Sequence, residues 1–255
     1  MLETKTLNQV TLHDESSFRH VGLYGRLKEA MVSRNMRFHV LKNARSLGGG
    51  GAARLLNLAF WDPSAHAEVL DEPELEADQL MHNAWHVLAR EACGEDHRSA
   101  DALLLGEAVA SAFDVYLIGR TLGHAPDSSF LESQIAAMSY SSEAAGCSEE
   151  QFSGLLERMS REPEKTFEEL RQLLFDVSSE LVAAADLESA ASVLASHRGH
   201  PMFPLLHHYE LPTWVLYARS YATTCDRVGK IRAFDRAMRE ADDAIGWLEE
   251  NWLDG

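Results

Sequence analysis

The sequence predicts a mostly helical α+β protein, with a short N-terminal β-sheet and a helical C-terminal part. Three observations predict it. Short β-like runs occur only before residue 62. From residue 72 onward apolar residues recur at helical spacing. Acidic, serine and proline starts and glycine stops punctuate that second part at helix-length intervals. The expected division is an α+β region over 1–125 and a helical region over 126–255, the two forming one compact unit.

Residues 1–18 are polar and read as peripheral. FRHVGLYGRLKEAMVSRN (18–35) sets Val21, Leu23, Leu27, Met31 and Val32 at helical spacing. RFHVL (37–41) reads as a strand, SLGGGG (46–51) as a flexible breaker, and ARLLNLAFW (53–61) as a second strand by length and apolar content. EPELEADQLMHNAWHVLAREAC (72–93) reads as a helix, with Pro73 and acidic residues at its start and Gly94 after its end. Leu80, Trp85 and Leu88 are its core residues. The next helix runs over 99–123, with Ser99 as cap and Gly123 as stop. Helical patterns continue over 128–146, 148–160 and 164–197, and SEEQ at 148–151 resembles a capping box. A loop, RGHPMFPLLHHYELP (198–212), leads to a final amphipathic tail that reads as a packed terminal helix with Trp247 and Trp252.

Composition narrows the function classes. A net charge of -17 argues against a nucleic-acid partner, since phosphate binding needs a basic surface, and against an anionic membrane surface. It leaves room for a small anionic substrate in a local arginine-lined pocket. Cys93, Cys147 and Cys225 are odd in number and form no C-x-x-C pair, which points to a reducing compartment. No apolar signal segment and no membrane span are expected, so the expected location is cytoplasmic. The glycine run at 48–51 lacks the Lys-Ser/Thr of a P-loop and reads as a hairpin or lid.

The chemistry-bearing stretch is MHNAWHVLARE (81–91). Residues four apart share one face of a helix, so His82 and His86 can present two imidazole nitrogens to one ion. Glu107 is the expected third ligand, carried on the following helix 107 − 86 = 21 residues after the second histidine. Ser111 and Asp114 follow on the same face, and Asp114 suits the acceptor that orients a ligating imidazole. Asn83 stands between the histidines as a neutral amide and cannot serve as a general base. The alternative reading makes Asn83 a solvent-facing helix residue.

The pattern His82-Asn83-x-x-His86 followed by Glu107 in GEAVASAFD resembles the gluzincin branch of the zincin metallopeptidases. There a His-Glu-x-x-His helix precedes a helix that carries a glutamate ligand. The resemblance covers roughly 37–123. It implies a zincin-like core, with ARLLNLAFW as the strand bordering a substrate cleft, and a divalent metal, zinc ahead of iron. It also implies that His208 or Tyr209 stabilises an oxyanion. Asn83 departs from the family at the position of the base, so standard endopeptidase activity is not expected. Glu91 is a poor replacement, because it sits five residues past His86 and faces away. Arg219 suits a clamp for a substrate carboxylate; its bland alternative is a surface ion pair. For His207 and His208 that alternative is a pair of surface loop histidines.

The expected function is therefore metal-dependent chemistry on a peptide or small amide-like molecule. Two alternatives remain: a non-haem iron oxygenase using the same His-His-Glu set, and a non-catalytic binding protein with a degenerate zincin-like fold. A di-iron bundle ranks below these, because no pair of Glu-x-x-His motifs is found.

Overall fold

The computed structural model describes residues 2–41, 55–56, 67–70, 72–125, 127–222 and 228–255. The expected glycine-rich breaker, most of ARLLNLAFW and Cys225 lie outside the described residues. The architecture is mostly helical α+β, as the periodicity predicts. The chain divides into two compact units, Met1–Val87 and Leu88–Gly255.

The first unit holds the strands. β1 (Leu2–Thr6) and β2 (Thr11–His13) precede α1 (Glu15–Phe18), α2 (Gly22–Ser33) and β3 (Arg37–Leu41). β4 (Leu55–Leu56), β5 (Ala67–Leu70) and β6 (Glu74–Glu76) follow. One sheet has the order β1-β3-β5-β4. In it β1 lies antiparallel to β3, from Leu2 opposite Leu41 to Thr6 opposite Arg37, and β3 runs parallel to β5. A second, two-stranded sheet pairs β2 with β6 in parallel. Phe18, Leu27, Met31 and Phe38 are fully buried and form the centre of this unit's core.

Two expectations are corrected here. Residues 1–18 are more than a peripheral segment: LETKT is an edge strand of the sheet, and Leu7 and Phe18 are buried. A strand held by backbone hydrogen bonds at a sheet edge needs no continuous apolar face, so its polar sequence conceals it. The helix expected from residue 72 begins at Ala77, because Glu74–Glu76 is taken into the ladder with Thr11–His13. A partner some sixty residues earlier leaves no local signal.

α3 (Ala77–Cys93) is one unbroken helix, and Gly94 ends it at φ +62, the left-handed conformation that glycine adopts without a Cβ penalty. The second unit continues with α4 (Ala100–Thr121), α5 (Ser129–Ala144), α6 (Glu149–Arg161) and α7 (Pro163–Ala183). It ends with α8 (Leu187–Ser196), α9 (Leu211–Tyr221), α10 (Val228–Glu240) and α11 (Ala244–Leu248), closed by a π-helical turn at Glu249–Leu253. The expected caps are present: Ser99 Oγ accepts the Ala102 N–H at 3.2 Å, and Ser148 with Gln151 forms a reciprocal capping box. The helical pattern over 164–197 is carried by two helices. Ala184 is extended, and Asp186 starts α8 by accepting the Ser189 N–H at 2.8 Å. Aspartate competes for the backbone at such a point, which ends one helix and caps the next.

α4 is the central element of this unit and packs on α6, α7, α9 and α10. It is long and apolar enough to cross a membrane by composition, yet 89% of its apolar window is buried within the protein. A helix apolar all round is what a core position requires. At Gly119 it approaches α6 so closely that a Cβ would stand 2.2 Å from the Met159 carbonyl oxygen.

Candidate metal centre

α3 forms from strong helix formers and buries Leu80, Met81, Ala84, Trp85, Leu88 and Ala89 along one broad stripe. His82 and His86 flank that stripe and are half-buried. Their Nε2 atoms lie 3.2 Å apart, with ring centroids at 4.9 Å and planes inclined at 60°. Without an ion, one ring must donate its Nε2–H to the unprotonated Nε2 of the other.

Glu107 lies on α4 among apolar neighbours and is only 4% exposed. A buried carboxylate is costly unless it is protonated or paired with a cation or strong donors. Ligand atoms of His82, His86 and Glu107 all lie within 4.8 Å of one another, so this group could hold a metal ion. The three residues expected to ligate are therefore brought together.

A test of fit is available in the donor spacing. A tetrahedral ion with bonds of about 2.05 Å to imidazole nitrogen separates two such ligands by about 3.3 Å. The observed 3.2 Å matches that edge. Two nitrogens and one carboxylate are also a donor set that zinc and iron(II) both accept.

Asn83 is not at the surface. It is 1% exposed, and its Nδ2 has no hydrogen-bond partner among the described residues. An amide buried in that state is a free donor at the motif position, and it has no basicity to offer.

The remaining expected residues fall in two places. His208 closes a 3-10 turn at Phe203–His208, which replaces the plain loop read from the sequence, and Tyr209 follows it. The Tyr209 hydroxyl donates to the Ser111 carbonyl of α4 at 3.5 Å, one helical turn beyond Glu107. Asp114 acts on both residues. Burial holds the His208 imidazole below its ordinary pKa, against the opposing pull of the Asp114 carboxylate. Burial pushes the Tyr209 phenol well above the tyrosine range, and Asp114 adds to that shift. His208 is thus kept neutral and Tyr209 is kept protonated. Ser111 and Asp114 share the face of α4 that carries Glu107, as their spacing predicts.

Arg219 lies elsewhere in role. Its guanidinium donates to the carbonyls of Leu181 at 2.9 Å and Val182 at 3.1 Å, and to that of Ala184. It caps the end of α7, where carbonyls lack helical partners and cations are favoured. Among the described residues its side chain bonds these carbonyls and makes no ion pair.

Sequence reading missed a buried ion network. Arg171 of α7 is fully buried and donates to both Glu168 oxygens at 2.6 Å and to Asp235 at 2.9 Å. Arg239 bonds Asp235 at 2.9 Å and Asp176 at 2.6 Å. The available signal was an arginine inside the apolar stripe Phe167, Leu170, Leu174; its partner 64 residues away was not legible.

The chain matches no protein-family model, no curated protein and no solved structure.

Proposed function

We propose that this protein is a metal-dependent enzyme with a mononuclear centre at His82, His86 and Glu107, acting on a peptide or small amide-like molecule. The observation that carries this reading is the gathering of three ligand atoms within 4.8 Å, with two imidazole nitrogens spaced as a coordination edge. Zinc is the metal we favour, and the motif's likeness to the gluzincins agrees with it. When bound, the ion supplies Lewis acidity for a substrate carbonyl.

The chain's own residues then divide the remaining work. Asn83 donates a hydrogen bond from its buried amide to an oxygen of the substrate, in place of the proton acceptor that a peptidase has there. His208, kept neutral by burial, offers an unprotonated imidazole nitrogen as a proton acceptor. Tyr209, kept protonated, has a single O–H, which must leave the Ser111 carbonyl to serve a developing oxyanion. This arrangement disfavours ordinary endopeptidase chemistry, because the base does not stand at the motif position.

The test is elemental analysis of protein purified without added metal or a histidine tag, beside His82→Ala. About one equivalent of zinc, absent from the variant, supports the proposal and directs assays to amide and peptide hydrolysis. Iron instead favours an oxygenase using the same residues, with dioxygen consumption as the next assay. No metal in the wild type, and none taken up on titration, overturns the proposal and leaves a non-catalytic binding protein.

A further inference from the structure

We propose that a cavity within the helical unit binds a small organic anion, a carboxylate or phosphate group carried on an apolar body. The cavity measures about 720 Å³, within the range of small-molecule sites. Its wall is made by the end of α5, one face of α6 and the stretch 198–207. Apart from the Cys147 thiol, every ionisable group on that wall is a base: Arg158, Arg198, His200 and His207. Among the described residues no aspartate or glutamate lines it, although the chain has 40 acidic residues against 23 lysines and arginines. A wall of one sign in a protein of the opposite sign is a local reversal of field, and such clefts concentrate counter-ions.

The donors are suited to an oxyanion. Arg198 is exposed and makes no ion pair among the described residues. Its guanidinium is thus available for two-pronged binding of a carboxylate or phosphate. Arg158 is held by an ion pair with Glu169, which positions its charge and leaves it partly neutralised. His200 Nδ1 accepts the Met202 backbone N–H at 3.1 Å, so a neutral ring carries its proton on Nε2 as a donor. Phe203 and Pro204 add an apolar wall beside these donors, which a bare inorganic ion would not use. None of the residues on this wall belongs to the His82, His86 and Glu107 group.

Titration calorimetry with phenyl phosphate, benzoate and inorganic phosphate tests the proposal. The wild type is expected to bind phenyl phosphate or benzoate saturably with a Kd below about 1 mM, and inorganic phosphate more weakly. Which of the first two binds tighter assigns the head group. Arg198→Gln, at an exposed position, is expected to weaken binding at least ~10-fold while leaving the melting temperature unchanged. Absence of saturable binding by either probe up to about 10 mM overturns the proposal. So does binding that Arg198→Gln leaves unchanged. Binding that is lost in His82→Ala and kept in Arg198→Gln would place the anion at the metal centre instead, which also overturns it.

Discussion

The Nε2 atoms of His82 and His86 stand 3.2 Å apart on successive turns of α3. Two neutral imidazoles hold that distance with a single shared hydrogen, and a metal ion holds it with two bonds. His82→Ala and Glu107→Ala are each expected to abolish metal retention while leaving helix content near that of the wild type. Elemental analysis and far-ultraviolet circular dichroism check this together. Because the ligands bind in their deprotonated forms, metal is expected to dissociate as the pH is lowered. Full occupancy in both variants would remove the centre from these residues.

Asn83 offers a separate test of the same helix. A buried amide donor without a partner costs about 1–3 kcal/mol, whereas an apolar side chain of similar shape avoids that cost. Asn83→Leu is expected to raise the melting temperature and to leave metal content intact, while turnover of any amide substrate falls. A lowered melting temperature would mean that the amide already has a partner in the folded protein.

The network around Arg171 bears on stability rather than chemistry. Removing one member of a buried ion pair leaves an uncompensated charge, at a cost of about 3–5 kcal/mol. Asp235→Ala takes one partner from each of Arg171 and Arg239 but leaves them Glu168 and Asp176, so chemical denaturation should show a loss below that full cost. Exchanging Arg171, Asp235 and Arg239 together for apolar residues of similar volume should cost far less. Equal losses in the single and triple variants would contradict this account.

At Gly119 the constraint is steric. A methyl group there meets the Met159 carbonyl oxygen at 2.2 Å, and that oxygen belongs to a helix backbone. Gly119→Ala must push α4 and α6 apart or bend one of them. Overpacking of this kind typically costs about 1–3 kcal/mol. Thermal unfolding of the variant at neutral pH measures it, and a gain in stability would show that the helices separate freely.

Acid is expected to weaken the first unit through Glu15. The Lys28 ammonium beside it, helped by the Tyr24 hydroxyl, holds the Glu15 carboxyl below its ordinary pKa. A carboxylate with a depressed folded pKa contributes stability above its unfolded value near 4.5. That contribution is lost as the pH falls through the lower, folded value. Glu15→Gln should therefore lower stability at pH 7 and flatten the acid limb of the stability profile. An acid limb identical to that of the wild type would assign the titration to other carboxylates.

Periodicity and capping made most of the helices legible, because those signals are local. Ser99, Ser148 and Gly94 stand where a helix needs a donor acceptor or a left-handed residue, whatever surrounds it. The i, i+4 spacing of His82 and His86 likewise determined that their rings would meet, since one helical turn places them on one face. Glu107 was legible only as an expectation, because its approach to the histidines depends on where a second helix lies. Pairings over long sequence separations were decided by the tertiary structure alone. LETKT became a strand because Arg37–Leu41 offered it a ladder, and Glu74–Glu76 left the helix because Thr11–His13 did the same. The tertiary structure also buried Asn83, turned Arg219 onto the end of α7, and closed Arg171 onto Asp235. In each case a polar side chain took its role from groups that no local pattern places beside it.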